Sequence, residues 1–256
     1  MLESKLKKSR KLFVTPLEVS KFYQCPRRLF LEKITLSKQV KERKGRVWDG
    51  EVVHLAVNLL VKRFMKGDVE ESIEEVAKMA LSKYEGKTEL DKGKLIDFLS
   101  RLHGFLKGEN LKSIFTEKTF ESFRHGLIGT PDLVAIRQDF DVIPMDVKLG
   151  KLSRRGIKEE HLLQCVGESI LVEDFFRKRV NLAYIIYFQS NSLARINITR
   201  SMKSKFLEYK RGIEKMCRIE RIPMKSRLPN YRRRVCLGCH VKEACENIES
   251  LKRIGY

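Results

Sequence analysis

The chain has 256 residues, and its hydrophobic content of 42% is enough for one large domain with its own core. Its 53 Lys and Arg residues against 33 Asp and Glu residues give a formal net charge of +20, which favours a polyanionic partner such as nucleic acid. A generic basic surface, or adaptation to heat, is the alternative explanation of this charge.

Membrane and secretory segments are not predicted. No apolar run approaches the ~20 residues that a membrane span needs, and the N-terminal MLESKLKKSRK lacks the apolar stretch of a signal peptide. We therefore expect a cytoplasmic protein with no membrane partner. Six cysteines in a reducing compartment are poor disulfide candidates, so their spacing indicates either metal binding or burial.

The first predicted element is a short helix in TPLEVSKFYQCPRRLFLEK. Thr15 is its candidate N-cap, Pro16 takes the first helical position, and Glu18 completes a capping box. Pro26 interrupts the helix directly after Cys25, which leaves that thiol at a bend.

Helical spacing between residues 45 and 65 places Glu51, His54 and Asn58 along one stripe. Amphipathic helices over about 69–85 and 91–107 follow, and they form a helical insertion at about 65–110. The period then changes, and SIFTEKTFESF, LIGTPDLVAIR and FDVIPMDVKL predict three strands of an antiparallel meander.

After the meander, helical periodicity returns over residues 159–178. Two further strands, LAYIIYFQ and LARINIT, flank a turn at 190–192, and a last helix over about 202–220 leads into a basic, cysteine-containing tail. This order predicts an α/β fold with a helical insertion.

Three charged residues interrupt apolar strands of the meander. Asp146 and Lys148 are two apart, so they share one face of their strand, and Asp132 lies in the preceding strand. Carboxylate oxygens hold Mg²⁺ or Mn²⁺, and a lysine can orient water or offset charge on a phosphate. For Asp146 and Lys148 alone, an exposed ion pair on an edge strand is the alternative.

The tail sequence VCLGCHVKEACEN carries Cys236, Cys239 and Cys245 at close spacing, which is typical of thiolates around one soft metal. A fourth ligand is needed. His240 is poorly placed beside Cys239, whereas Cys25 could complete the site if the two ends of the chain meet. Four thiolates suit tetrahedral zinc as well as an iron–sulfur cluster.

The order Pro131-Asp132, then Asp146-x-Lys148, resembles the PD-(D/E)xK nuclease superfamily. Gly50-x-x-x-His54 resembles the first motif of its RecB-like branch, and Gln164 begins a Gln-x-x-x-Tyr motif in which this chain has Glu168. The resemblance implies a restriction-endonuclease-like core in which helices flank a central mixed sheet.

The same resemblance implies roles for individual residues. The metal ligands would be His54, Asp132, Asp146 and the backbone carbonyl of Val147, with Lys148 as the catalytic lysine. Gln164 is a further catalytic candidate, and capping a polar edge is its alternative role.

Cys25-Pro-Arg-Arg, together with the terminal cysteines, resembles the iron–sulfur nucleases of the RecB-like group. The resemblance implies a 4Fe-4S cluster held by Cys25, Cys236, Cys239 and Cys245. Residues 1–220 would then form the nuclease domain, and residues 221–256 a C-terminal iron–sulfur region closed by Cys25. The other two cysteines, Cys165 and Cys217, are predicted to be packed thiols.

Taken together, the motifs resemble the fourth core family of CRISPR-associated proteins, the exonucleases of spacer acquisition. That implies metal-dependent cleavage of single-stranded DNA ends, alongside the CRISPR integrase. A RecB-like repair nuclease working with a helicase, and a weakly catalytic DNA-binding module, are the alternatives. Arg154 and Arg155 are candidate DNA-backbone contacts, or else part of a solvated turn. Cleavage polarity and oligomeric state, including a homo-oligomer, stay open.

Overall fold

The computed structural model describes residues 13–33, 46–67, 73–219, 221–223 and 236–253. The helices are α1 (Pro16–Gln24), α2 (Pro26–Lys33), α3 (Arg46–Phe64), α4 (Ile73–Ser82), α5 (Lys92–Gly108), α6 (Glu159–Phe176), α7 (Arg200–Ile219) and α8 (Lys242–Arg253). The strands are β1 (Leu111–Thr116), β2 (Phe120–Ser122), β3 (Leu127–Gly129), β4 (Leu133–Arg137), β5 (Val142–Lys148), β6 (Leu182–Tyr187) and β7 (Ser192–Asn197).

The helix α1 begins as its sequence predicts. The side chain of Thr15 accepts a hydrogen bond from the amide of Glu18, whose carboxylate accepts one from the amide of Thr15. The helix ends at Gln24, Cys25 follows in extended conformation, and Pro26 begins α2. The predicted bend at Cys25 is therefore present.

Five strands form a mixed sheet in the order β1-β4-β5-β6-β7. The strands β1, β4 and β5 are antiparallel neighbours, as the meander predicts, whereas β6 lies parallel to β5 and is reached through α6. A parallel neighbour requires such a crossover, because a short turn can join only antiparallel strands.

Two of the three predicted meander strands are each divided in two. The first breaks at Glu117, which has a φ of 51°, and the second breaks at Pro131, which has no amide hydrogen for a strand ladder. The fragments β2 and β3 pair with each other in a separate two-stranded sheet. Asp132 consequently lies just before β4, not inside a strand.

Side chains on β5 alternate between two apolar layers. Val142 packs into a core with α1, α2, α6 and α7, while Ile143, Met145 and Val147 pack into a second core with α3, α4 and α5. The predicted helical insertion therefore covers one face of the sheet. The beginning of its predicted helix at 69, and residues 224–235 of the predicted C-terminal region, lie outside the described residues.

Within the described ranges, no helix is long and apolar enough to cross a membrane. The helix α6 is instead buried in the protein: it packs against β5, the β2–β3 sheet, α1 and α7. Gly167 lies in the middle of α6 and allows a close approach of α7. A Cβ added to Gly167 would lie 2.5 Å from the ring of Phe206.

Substitution of Gly167 by Ala should destabilise the protein, although Ala is the better helix former. The added methyl group would overlap the buried Phe206 ring, which we expect to lower the free energy of unfolding by about 1–3 kcal/mol. The matched control is Gly104→Ala in α5, where nothing lies within 4 Å and a gain of about 0.5–1 kcal/mol is expected. Urea titration of both variants measures the difference, and equal changes would contradict the packing argument.

Candidate active site

The candidate catalytic residues meet at the edge of the sheet where β5 ends. The strand β4 runs antiparallel to β5, so the beginning of β4 lies beside the end of β5, and Leu133 pairs with Met145. This register brings Asp132, just before β4, close to the last residues of β5. The two carboxylates predicted from sequence are therefore neighbours in the fold.

Asp146 is the buried member of this pair, with 1% of its surface exposed. Its Oδ1 accepts hydrogen bonds from Lys148 Nζ at 2.8 Å and from Gln164 Nε2 at 2.8 Å. Lys148 Nζ also donates to Gln164 Oε1 at 2.9 Å, which closes a ring of three side chains. The predicted shared strand face of Asp146 and Lys148 is thus present, and α6 supplies the third member.

Burial raises the pKa of Asp146 to about 6, and the charge of Asp132 adds to the shift while Lys148 opposes it. Burial also disfavours the charged form of Lys148, but the charge and hydrogen bond of Asp146 outweigh it, so the pKa of Lys148 is raised. Lys148 is therefore a permanent cation near neutral pH, suited to charge stabilisation and unsuited to act as a base.

Asp132 is held by two contacts from different elements. Its Oδ2 accepts a hydrogen bond from the amide of Val147 at 2.7 Å, and its Oδ1 lies 3.3 Å from Nδ1 of His54 on α3. Burial disfavours protonation of His54, but the hydrogen bond and charge of Asp132 outweigh it and raise the pKa of His54. The contact seen at Val147 is through its amide, so the role of its carbonyl as a ligand stays a prediction.

A cleft of about 400 Å³ opens beside these residues. Its lining includes Gly50, His54 and Asn58 from α3, together with Asp132 and Glu117. The stripe predicted on α3 therefore faces the same cleft as Asp132, one of the two candidate carboxylates.

Glu168 occupies the position where the motif has a tyrosine, and it is 4% exposed. Its Oε1 accepts a hydrogen bond from Gln164 Nε2 at 3.1 Å. Burial raises the pKa of Glu168 well above its usual range, and the charge of Asp146 adds to the shift. The ionised form of Glu168 is therefore disfavoured.

Two residues that the sequence did not single out adjoin the site. Tyr187 ends β6 and pairs with Lys148 in the parallel ladder, and its hydroxyl lies 3.0 Å from Nδ1 of His161 on α6. Burial and the charge of Lys148 lower the pKa of His161 to about 4, so the imidazole is neutral at pH 7. Tyr187 reaches the site because β6 pairs in parallel with β5, and no local pattern in the sequence indicated that pairing.

Carboxylate oxygens that lack hydrogen-bond partners indicate whether the site fits Mg²⁺ or Mn²⁺. Asp146 Oδ2 and Glu168 Oε2 are buried and have no hydrogen-bond partner in the described part of the chain. No group of three or more His, Cys, Asp or Glu residues in those same ranges is arranged to hold a metal ion. Asp132 and Asp146 nevertheless fit Mg²⁺, because this ion is commonly bound by one or two carboxylates and keeps several waters.

The four cysteines predicted to act together line one small, mostly apolar cavity of about 30 Å³. Burial raises the pKa of the Cys25 thiol, and its Sγ accepts a hydrogen bond from the amide of Arg28 at 3.4 Å. Arg27 is 1% exposed and donates to Cys245 Sγ at 3.3 Å, and to the carbonyls of Pro223 and Cys245. The first helices and the C-terminal segment therefore meet, as a shared site requires.

The remaining sequence predictions fall outside these clusters. His240 contacts Glu32 through Nε2 at 3.0 Å and does not line the cysteine cavity. Cys165 is fully buried and Cys217 packs against the same core, as packed thiols would. Arg154 and Arg155 are exposed in the loop after β5, and their contact with DNA stays a prediction.

Comparison with known proteins was made on sequence and on structure. No curated protein matches the chain. A crystal structure from Eubacterium rectale named "Putative exonuclease" is 12% identical, with a TM-score of 0.46 and coverage of 83% of each chain. The crystal structure of SSO0001 is 15% identical, with a TM-score of 0.35 and coverage of 88% of this chain and 94% of that chain.

These distant likenesses do not carry the assignment, which rests on a family match over nearly the whole chain. Residues 14–246 match the PD-(D/E)XK nuclease superfamily, a range that contains every candidate catalytic residue and all four cavity-lining cysteines. The chain belongs to the PD-(D/E)XK nuclease superfamily.

Proposed function

We propose that this protein is a metal-dependent deoxyribonuclease that removes nucleotides from single-stranded DNA ends. The observation that carries the proposal is the buried ring of Asp146, Lys148 and Gln164 beside Asp132. A carboxylate kept in a buried site with one oxygen unsatisfied destabilises the fold, and a bound cation would offset that cost.

Asp132 and Asp146 would hold Mg²⁺ or Mn²⁺, with His54 and the Val147 carbonyl as the further ligands that the resemblance implies. When bound, the ion supplies charge stabilisation for the phosphate and lowers the pKa of a water. The chain's own residues fix the rest of the geometry. The amide of Val147 orients the Asp132 carboxylate, and Gln164 orients both the Lys148 ammonium and the Asp146 carboxylate.

Lys148 contributes a permanent positive charge at the end of β5, where the scissile phosphate would lie. Because its ammonium is already hydrogen-bonded to Asp146 and Gln164, little reorganisation is needed as negative charge develops in the transition state. The neutral His161 and Tyr187 next to it add dipoles but no charge. The site is therefore arranged to stabilise a negatively charged phosphoryl group.

Labelled single strands, incubated with Mn²⁺ or with chelator, test the proposal directly. Cleavage from an end that requires the metal supports it, whereas binding without any cleavage favours the DNA-binding module. Glu168 in place of the motif tyrosine is the one feature that favours that alternative, and the intact Asp132, Asp146 and Lys148 oppose it.

We also infer a 4Fe-4S cluster at Cys25, Cys236, Cys239 and Cys245. The shared cavity of these residues, and the contacts of Arg27 with the C-terminal segment, support this inference. Zinc is the alternative, because four thiolates suit both metals. The centre would tie α1 and α2 to the C-terminal segment and so contribute to folding free energy.

The biological role we propose is trimming of new spacers beside the CRISPR integrase. The order of the catalytic motifs between the flanking cysteines supports it. A repair nuclease that works with a helicase would use the same chemistry, so the catalytic residues do not separate the two. Co-purification with the integrase, as against a helicase, tests the role.

Asp146→Asn and Lys148→Ala should each lower the cleavage rate by about a hundredfold or more, because both act on charge that develops in the transition state. Binding of single strands in chelator should persist, since the overall positive charge supplies the affinity. The exposed Asp139→Ala and Lys66→Ala serve as matched controls, and circular dichroism checks folding. Wild-type cleavage by either site variant would show that the active-site assignment is wrong.

Affinity for Mn²⁺ should rise with pH through about 6 and level off only above the raised pKa of His54, because a proton on Asp146 must leave before its carboxylate can bind metal. The raised pKa of His54 acts in the same direction, since a protonated imidazole cannot ligate. Titration calorimetry at several pH values measures the profile, and Asp146→Asn should remove its lower part while the part that His54 contributes remains. A flat profile in the wild-type protein would contradict the raised pKa.

Anaerobically purified protein should be brown and contain about four iron and four sulfide ions per chain. Cys25→Ser should bleach it and expose both termini to protease, whereas Cys217→Ser, outside the cavity, should leave the colour unchanged. Metal analysis and visible absorbance are the measurements. Stoichiometric zinc without iron, or a full cluster in Cys25→Ser, would refute the iron–sulfur assignment.

A further inference from the structure

A second charged cleft lies at the edge of the sheet opposite the catalytic residues. It has a volume of about 420 Å³ and is bounded by the β2–β3 turn, the end of α6 and the beginning of α7. Lys178, in its lining, donates to the carbonyl of Asp139 at 3.2 Å, and Asp139 precedes β5. The catalytic Lys148 instead ends β5, so the strand separates the two sites.

Cations dominate this cleft, which we call the distal basic surface. Its members are Arg124, Arg177, Lys178, Arg179, Arg200 and Lys203. Only two carboxylates share the lining, and both are engaged: Glu173 with Lys203, and Asp174 with Arg177 at 3.9 Å.

Three of the arginines keep their charge uncompensated. Arg124, Arg179 and Arg200 are exposed, and none forms an ion pair or side-chain hydrogen bond with the described part of the chain. Like charges held together repel one another, so this grouping costs stability in the absence of a ligand. An anion bound among them would remove that cost.

The beginning of α7 strengthens the positive potential. Its first turn contains Arg200 and Lys203 and no acidic residue. The N-terminus of a helix carries a partial positive charge, so cations there oppose the helix dipole where Asp or Glu would be expected. The side chains and the helix end therefore present positive charge to the same cleft.

Two exposed aromatic rings adjoin these cations. Phe123 is 65% exposed and Phe175 is 47% exposed, and they line a smaller neighbouring cleft of about 250 Å³. Arg124 and Arg177 line both clefts, so the aromatic and basic groups form one continuous surface. Basic side chains interleaved with exposed rings are the combination that binds phosphates and stacks bases of a single strand.

We propose that the distal basic surface, with Phe123 and Phe175, is a second binding site for single-stranded nucleic acid, remote from the scissile bond. The proposal rests on the single-strand nuclease function proposed above. An acidic peptide would satisfy the arginines, but it offers no bases to stack on the exposed parts of Phe123 and Phe175, which pack edge to face against Phe13 and Phe120. The nucleic-acid strand accounts for both features.

The distance between the sites sets a length requirement on the strand. Gln164 and Arg177 are thirteen positions apart on and just after α6, which corresponds to about 20 Å at 1.5 Å per residue. A stacked strand advances by about 3.4 Å per nucleotide, so a strand that stays stacked needs roughly six nucleotides to span both sites. Shorter strands can reach the catalytic site without the distal one.

The test compares two variants with a matched control in chelator, where no cleavage interferes. The arginine variant is Arg124→Ala/Arg179→Ala/Arg200→Ala, and the aromatic variant is Phe123→Ala/Phe175→Ala. The control removes three exposed cations from the helical insertion: Lys78→Ala/Lys92→Ala/Arg101→Ala. Fluorescence anisotropy with oligothymidylates of about 4 and about 20 nucleotides measures affinity across salt concentrations.

Both distal variants should bind the long strand about tenfold more weakly than the wild-type protein does. Their binding of the short strand, and its Mn²⁺-dependent cleavage, should be unchanged. The arginine variant should also lower the salt slope by about 2, since each lost phosphate contact contributes about 0.7. The aromatic variant should keep the wild-type slope. The control should change long-strand affinity far less than the arginine variant does.

Unchanged long-strand affinity in the distal variants, or an equal loss in the control, would overturn the proposal. The proposal would also be overturned if polyglutamate bound as tightly as the long strand, and if that binding depended on the three arginines but not on the two phenylalanines. If the wild-type protein neither binds nor cuts single strands, the proposed function fails together with this site. If it does both while the distal variants are unaffected, only the distal site is refuted.

Discussion

Burial of the Asp146 carboxylate at the end of β5 is the constraint on which the arrangement of this protein depends. An ionised group that is 1% exposed costs stability unless it is paired, and its partners Lys148 and Gln164 come from the same strand and from α6. The chain must therefore return across the sheet through α6 before the next strand. That return in turn makes β6 a parallel neighbour and brings Tyr187 next to Lys148.

The two faces of β5 carry different groups: apolar core side chains on one face, and the candidate catalytic side chains on the other. Ile143, Met145 and Val147 pack under the helical insertion, which fixes the strand, while Asp146 and Lys148 face α6. The preceding helix α3, which packs in the same apolar layer, brings His54 to Asp132. The helix that precedes the insertion in sequence is thus part of the candidate site in space, because it contacts the residue just before β4.

A second junction joins the two ends of the described chain. Arg27 is buried and donates to the carbonyls of Pro223 and Cys245, and Cys25 lies in the same cavity as the C-terminal cysteines. A buried guanidinium is tolerated only when its donors are satisfied, so α2 requires the C-terminal segment in place. This junction and the candidate active site share no residues, so the metal centre proposed at the junction would act on stability apart from the proposed phosphate chemistry.

The sequence by itself determined the features that depend on near neighbours. These include the capping box of α1, the bend at Cys25, the alternation of β5 and the pairing of Asp146 with Lys148, because two-residue and 3.6-residue periods follow directly from backbone geometry. Only the tertiary structure decided that Asp132 contacts the amide of Val147, that Glu168 is buried behind Gln164, and that Tyr187 meets His161. Those contacts join elements through strand register and the crossover helix, and register is set by packing of the whole sheet, not by any local pattern.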